Sequence, residues 1–394
     1  MADIDLSTIL ANGEYLRRDG DDLIGDIPRS TTVIDVSWFG TSEADLRAAA
    51  AEAESQDLPL YLPPGYAATL SAIWSLWAGA HIIGHGATLD LLADGTATGV
   101  GVHIGDAPTT VGVNDVIVEG LRVTQSDAAA RNVFYGMFSI FGSTRIKLID
   151  VTVGDGTGFT GGEGCGIFVA ASTAVELVRP RIGQTYADGI HLSRQTTDSI
   201  IDHPVIFDTG DDAIGVVSIR QDAGGPIYGR CARIRITQPT IGGLVGALGS
   251  GLNIAGSEHV SVIGGTIATV PGCGIIVQSN NEGGMLYPHA NRVVGTAVTD
   301  ADFNQGSLRV GDATDTTFVG VQVSACEAGA VVINSDNTVF SGCQIATVGT
   351  SQFGVYDDAG SSRTLVTGCI LNANSGGGVL LTGTGSTEVG NITA

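Results

Sequence analysis

A short pattern returns along most of this chain at a nearly constant interval, and that interval restricts the fold more than any composition does. The segments Gly166-Ile-Phe-Val169, Gly189-Ile-His-Leu192, Ala213-Ile-Gly-Val216, Gly251-Leu-Asn-Ile254 and Gly274-Ile-Ile-Val277 align with one another. Ser307-Leu-Arg-Val310, Ala330-Val-Val-Ile333, Gly354-Val-Tyr-Asp357 and Gly378-Val-Leu-Leu381 continue the series. Successive offsets are 23, 24, 38, 23, 33, 23, 24 and 24 residues. Second strands recur inside the same units, for example Val260-Ser-Val-Ile263 and Thr317-Phe-Val-Gly-Val321. Several short strands per unit with no helix between units make each turn of chain one rung of a parallel coil, with rungs ~4.8 Å apart.

Composition agrees where it is needed. With 58 glycines, 11 prolines and 43% hydrophobic residues, the chain suits short strands joined by tight turns, and neither collagen nor disorder. The two long offsets hold inserted loops, Ile219 to Arg230 and Asn280 to Asn291. Both begin about five residues after the aligned position, so they leave one side of the coil and wall a groove there.

Residues 1–35 are polar and outside the repeat, and are expected to form an adapter segment that docks on something larger; residues 36–394 form the coil. Ser42 to Ser55 reads as a helix, spanning 42–56, with a capping box from Ser42 and Asp45 and an apolar stripe of Leu46, Ala49, Ala50 and Ala53. Trp38, Trp74 and Trp77 fall at this end and are expected to cap the core. Six scattered cysteines without metal spacing read as buried thiols. His81 and His85 lie on a strand, where a four-residue spacing is not a metal pair; no metal and no cofactor is expected.

The formal charge of −23 argues against nucleic acid and anionic membranes as partners. No apolar run reaches the ~18 residues of a membrane span, and no secretory signal is visible at the start.

The helix, then Leu60-Tyr-Leu-Pro-Pro-Gly65, then Ile82-Ile-Gly-His-Gly-Ala-Thr-Leu89 resembles the opening of pectate-lyase-like right-handed β-helices, including phage tail spikes. The resemblance extends over roughly residues 36–390. It implies an all-β, right-handed, single-stranded parallel β-helix of about 10–12 rungs capped by a short N-terminal α-helix.

The column preceding the aligned residue reads Cys165, Asp188, Asp212, Ser250, Cys273, Gly306, Gly329, Phe353, Gly377. Carboxylates occupy two consecutive rungs, with Asp211 beside them. Like charges about 5 Å apart keep one of them protonated, and glycoside hydrolysis needs one acid and one ionised carboxyl. His191, Asn253 and Arg309 point outward on this strand column, with Arg194 and Arg220 nearby in sequence; these are sugar-compatible donors. Glu163, one rung before Asp188, is an accessory candidate.

Ala187-Asp-Gly-Ile190 followed by Gly210-Asp-Asp-Ala-Ile214 resembles the polygalacturonase-type glycoside hydrolases. The resemblance implies Asp188, Asp211 and Asp212 as catalytic carboxylates, one of the adjacent pair donating the proton. Where that family continues with Gly-His-Gly and Arg-x-Lys, this chain has Gly249-Ser-Gly251 and no such basic pair. Asp before Gly at a rung corner is also ordinary turn chemistry.

Three functions stay open. One is a virion tail component, resembling the homotrimeric tail spikes, that binds a bacterial surface polysaccharide, hydrolyses it, and joins other tail proteins through its N-terminal segment. The others are a secreted polysaccharide hydrolase without viral role, and a non-catalytic structural or adhesion protein.

Overall fold

A computed structural model describes residues 32–92, 100–106, 111–125, 136–154, 164–220, 227–245, 249–282, 284–301, 306–347, 353–372 and 376–393. Three parallel sheets of 14, 13 and 12 strands run the length of one coil. Each rung passes from the first sheet to the second to the third. Thr173–Val178, Arg181–Thr185 and Ile190–Ser193 are one such rung, and Ile200–Asp202 starts the next. The third sheet carries β1 (Cys165–Ala170), β2 (Ile190–Ser193), β3 (Ile214–Val217), β4 (Leu252–Ala255), β5 (Ile275–Gln278) and β6 (Leu308–Gly311).

Alternation along each strand divides the side chains. Ile190, Ile214, Leu252, Ile275 and Leu308 form one inward column and are fully buried, while His191, Gly215, Asn253, Ile276 and Arg309 form the outward column beside it. Inside the coil, Phe318 and Phe340 pair across adjacent rungs and stack with centroids 5.0 Å apart.

The ends differ. At the N-terminal end, α1 (Glu43–Gln56) lays Leu46, Ala49, Ala50 and Ala53 on the core, and its capping box is formed as expected: the Asp45 amide donates to Ser42 Oγ while the Ser42 amide donates to Asp45 Oδ2. Trp74 is buried, and Trp38 and Trp77 pack against the same core. Ile34–Asp35 already pairs with Leu60–Tyr61, so the coil begins before residue 36. Residues 1–31 of the expected adapter lie outside the described residues. At the C-terminal end Val389 and Ile392 are exposed.

Corners are built from charge pairs on neighbouring rungs. Arg145, Arg179, Arg233 and Arg363 each make a two-pronged contact to Asp115, Asp150, Asp198 and Asp336. The arginines lower the carboxyl pKa of all four aspartates. Asp at a corner is therefore often structural here. Asp357 shows this most fully: buried in the second-last third-sheet strand, it accepts from the Thr382 amide at 2.5 Å, the Gly383 amide at 3.1 Å and Ser386 Oγ at 2.6 Å. Asp357→Ala is expected to cost about 1–3 kcal/mol through those abandoned donors. Hydrogen exchange should rise over Gly377–Leu381 and leave α1 unchanged; uniform protection would refute it.

One aligned unit shifts. Leu308 pairs with Ala330, so Ser307 sits opposite Gly329, and the aligned segment there is Gly329-Ala-Val-Val332. Ala328, in place of Gly329, then follows Gly306 in the column before the aligned residue. All six cysteines are free and buried.

Candidate functional site

The turn from the second to the third sheet is built the same way on two successive rungs. Thr185 and Thr209 are cross-rung partners. Thr185 Oγ1 donates to the Ala187 carbonyl and Thr209 Oγ1 to the Asp211 carbonyl, each at 2.9 Å. The Gly189 amide then donates to the Asp212 carbonyl at 3.0 Å, which sets Asp188 directly beside Asp212. Repetition of one turn thus superposes two carboxylates.

Asp188, Asp211 and Asp212 each bring an oxygen to within 4.8 Å of the others, as no other trio of His, Cys, Asp or Glu does among the described residues. That spacing would suit a hard cation were all three ionised; burial of two of them makes the proton the favoured occupant, and no metal-ligand role is assigned. Asp188 is 3% and Asp212 7% exposed, whereas Asp211 reaches the surface. Burial raises the Asp188 carboxyl well above its ordinary range, with Asp211 adding repulsion. Burial pushes Asp212 up to about 8, with repulsion from Asp188 and Asp211 adding to it wherever they are ionised, against hydrogen bonds from Asn253 and Ser250. Burial also raises Asp211, offset by the Asp212 amide and, where it is protonated, by His191.

Asp212 is held in place. Its Oδ1 accepts from the Ser250 amide at 2.8 Å and its Oδ2 from Asn253 Nδ2 at 2.7 Å, and Gln278 Nε2 donates to Asn253 Oδ1 at 3.4 Å. Ser250 occupies the middle position of Gly249-Ser-Gly251 and serves through its backbone.

His191 is placed differently from the expected sugar donor. It is 4% exposed, its Nδ1 lies 2.5 Å from Asp188 Oδ2, and its ring stacks on Phe168 at 5.4 Å. Gly215 lies opposite His191 on the next rung. A Cβ there would fall 2.6 Å from Asp188 Oδ2 and 3.2 Å from His191 Nδ1, so the pair occupies the volume a side chain would take. Gly215→Ala is expected to cost about 1–3 kcal/mol by overpacking. Thermal melts check this, and a melt superimposable on wild type would count against that tight fit.

The remaining candidates scatter around this centre. Arg194 stands 5.5 Å over the Phe168 ring, and Arg309 lies two rungs, ~9.6 Å, beyond Asn253. Arg220 is in the first inserted loop, and Glu163 lies outside the described residues. The two inserted loops do leave the same side and meet. The Arg220 amide donates to the Glu282 carbonyl at 3.1 Å, Asn280 Nδ2 to the Ser218 carbonyl at 3.0 Å, and Arg230 Nη1 to the Tyr287 carbonyl at 2.6 Å. Glu282 acts electrostatically on His191, so this wall stands near the acidic turn.

Gly215, Gln278 and Phe168 were not among the residues singled out in the sequence. Gly215 carried a signal, being the one glycine at the third position of the aligned segments.

Fold and sequence comparison agree on the class. Residues 250–393 match the family model described as right handed beta helix region, and the chain is a right-handed parallel β-helix. The similar solved structures are proteins of quite different names. The A-module of mannuronan C-5 epimerase AlgE6 from Azotobacter vinelandii is 14% identical with a TM-score of 0.55, over 91% of this chain and 99% of that one. The catalytic unit of a GH87 α-1,3-glucanase from Streptomyces thermodiastaticus is 18% identical, TM-score 0.58, over 93% and 70%. Tailspike protein 3 of bacteriophage CBA120 is 12% identical, TM-score 0.59, over 98% and 68%. At these identities the likeness concerns the fold. No curated protein sequence matches the chain.

Proposed function

We propose that this β-helix binds a bacterial surface polysaccharide along the outer face of the third sheet and hydrolyses it at the acidic turn. The observation that carries the reading is the pairing of a buried Asp212, whose carboxyl is pushed up to about 8, with the surface-reaching Asp211 within 4.8 Å. Asp212 holds a proton at neutral pH and serves as the acid. Asp211, better solvated, ionises first and serves as base or nucleophile. Asn253 and Ser250 orient Asp212, and the inserted loops with Arg220 bound the groove. Arg309 extends the binding face toward the C-terminal end.

The likeness to tailspike protein 3 of bacteriophage CBA120 supports a place in a virion tail; a homotrimer joined to other tail proteins through the N-terminal segment before the coil is part of the same proposal. Reducing-sugar release from host envelope glycans tests the chemistry. Wild type should release sugar, and Asp211→Asn should lower the rate about 10²–10⁴-fold. Binding without release would favour adhesion, and release that survives both Asp211→Asn and Asp212→Asn would remove the site.

A further inference from the structure

The proposed acid and base leave one buried ionisable pair without a role. Asp188 and His191 are both nearly inaccessible, their contact is 2.5 Å, and Phe168 and the missing Cβ of Gly215 close the space around them. A contact this short, in a site with so little water, needs a proton between the two atoms. We propose that Asp188 and His191 form one uncharged dyad, in which the protonated Asp188 carboxyl donates to Nδ1 of a neutral His191 whose remaining proton is on Nε2. The alternatives are an ion pair and an ionised Asp188 accepting from Nδ1–H. An isolated buried charge is costly, and the ionised form would set a second negative charge beside Asp211.

Burial is the largest influence on His191 and lowers it; Arg194 also opposes the imidazolium, while Glu282 and Asp211, and Asp212 once it ionises, favour it. The ring is accordingly lowered to about 4, while Asp188 is raised.

The consequence concerns Asp212. Were Asp188 ionised, its charge would hold the Asp212 proton more tightly and make it a poorer donor. A neutral dyad leaves one negative charge in the trio, on Asp211. Asp188 and His191 are in this sense positioning residues, and that role rests on the hydrolase reading, whereas the protonation state does not.

Nitrogen NMR of the full chain labelled at histidine tests the dyad, with His191→Gln assigning the signal among seven histidines. His191 should stay neutral from about pH 5 to 8, with Nε2 protonated and Nδ1 bare. An ordinary titration near 6.5, an imidazolium, or a neutral ring protonated at Nδ1 would each overturn the proposal. Infrared spectra at pH 7 give a second readout that does not need the histidine variant. Asp188→Asn should remove one protonated-carboxyl band from the wild-type spectrum, and an unchanged band overturns the dyad. Absent sugar release together with these signals sinks only the hydrolase reading; release with a charged His191 sinks only the dyad.

Discussion

Asp212→Asn is expected to lower sugar release about 10²–10⁴-fold, and at the same time to stabilise the protein above pH 4 relative to wild type. The two effects have one cause. Unfolded, the Asp212 carboxyl titrates near 3.8; folded, near 8. The folded state therefore binds the extra proton between those values. A raised carboxyl pKa favours folding most below the unfolded value, and the advantage is lost as pH rises through the folded one. Wild type should weaken steadily from about pH 4 to about pH 8 relative to the uncharged variant, by on the order of several kcal/mol at the upper end. Thermal melts of both proteins at three pH values measure the trend, and a difference that does not change with pH would show Asp212 to be ionised in the fold. His191 works in the opposite sense. With a folded value of about 4 against 6.5, it removes stability as pH falls from 6.5 towards 4.

Phe340→Ala is expected to cost about 3–5 kcal/mol, since the side chain is fully buried and its removal leaves Phe318 facing a void inside the coil. The rigid cross-rung register gives the neighbours little scope to close that space. Phe207, half-exposed on the outside of the second sheet, provides the comparison: Phe207→Ala should change stability by about 0.5 kcal/mol or less. Urea unfolding of the two variants checks the contrast, and equal losses would mean that outward packing matters as much as the core.

The repeat made the rungs legible because alternation and turn glycines are local features. The same counting brought Asp188 and Asp212 together and put both inserted loops on one side. The slip at Gly329 arose where Ala328-Gly-Ala330 offers three small residues in a row; the Ser307 amide donates to the carbonyls of both Ala328 and Gly329, and only that cross-rung bonding fixes the register. An outward position on the strand suggests a sugar donor at His191, but outward direction is not the same as exposure, and His191 is 4% exposed. Its burial depends on Phe168 and Gly215 one rung to either side, a relation no single strand displays. The helix cap was legible from Ser42 and Asp45 alone, since a capping box is complete within four residues.

Each rung of the coil bonds only to its two neighbours, so the chain can come apart like a zipper from its ends. β2, β3 and β4 are the fifth, sixth and seventh of twelve third-sheet strands. Opening of the third sheet from either end would have to pass four or five strands before the cover over the buried Asp188 and Asp212 carboxyls was lost. The energy of those intervening layers insulates the protonation pattern of Asp188 and Asp212 from events at either tip of the molecule.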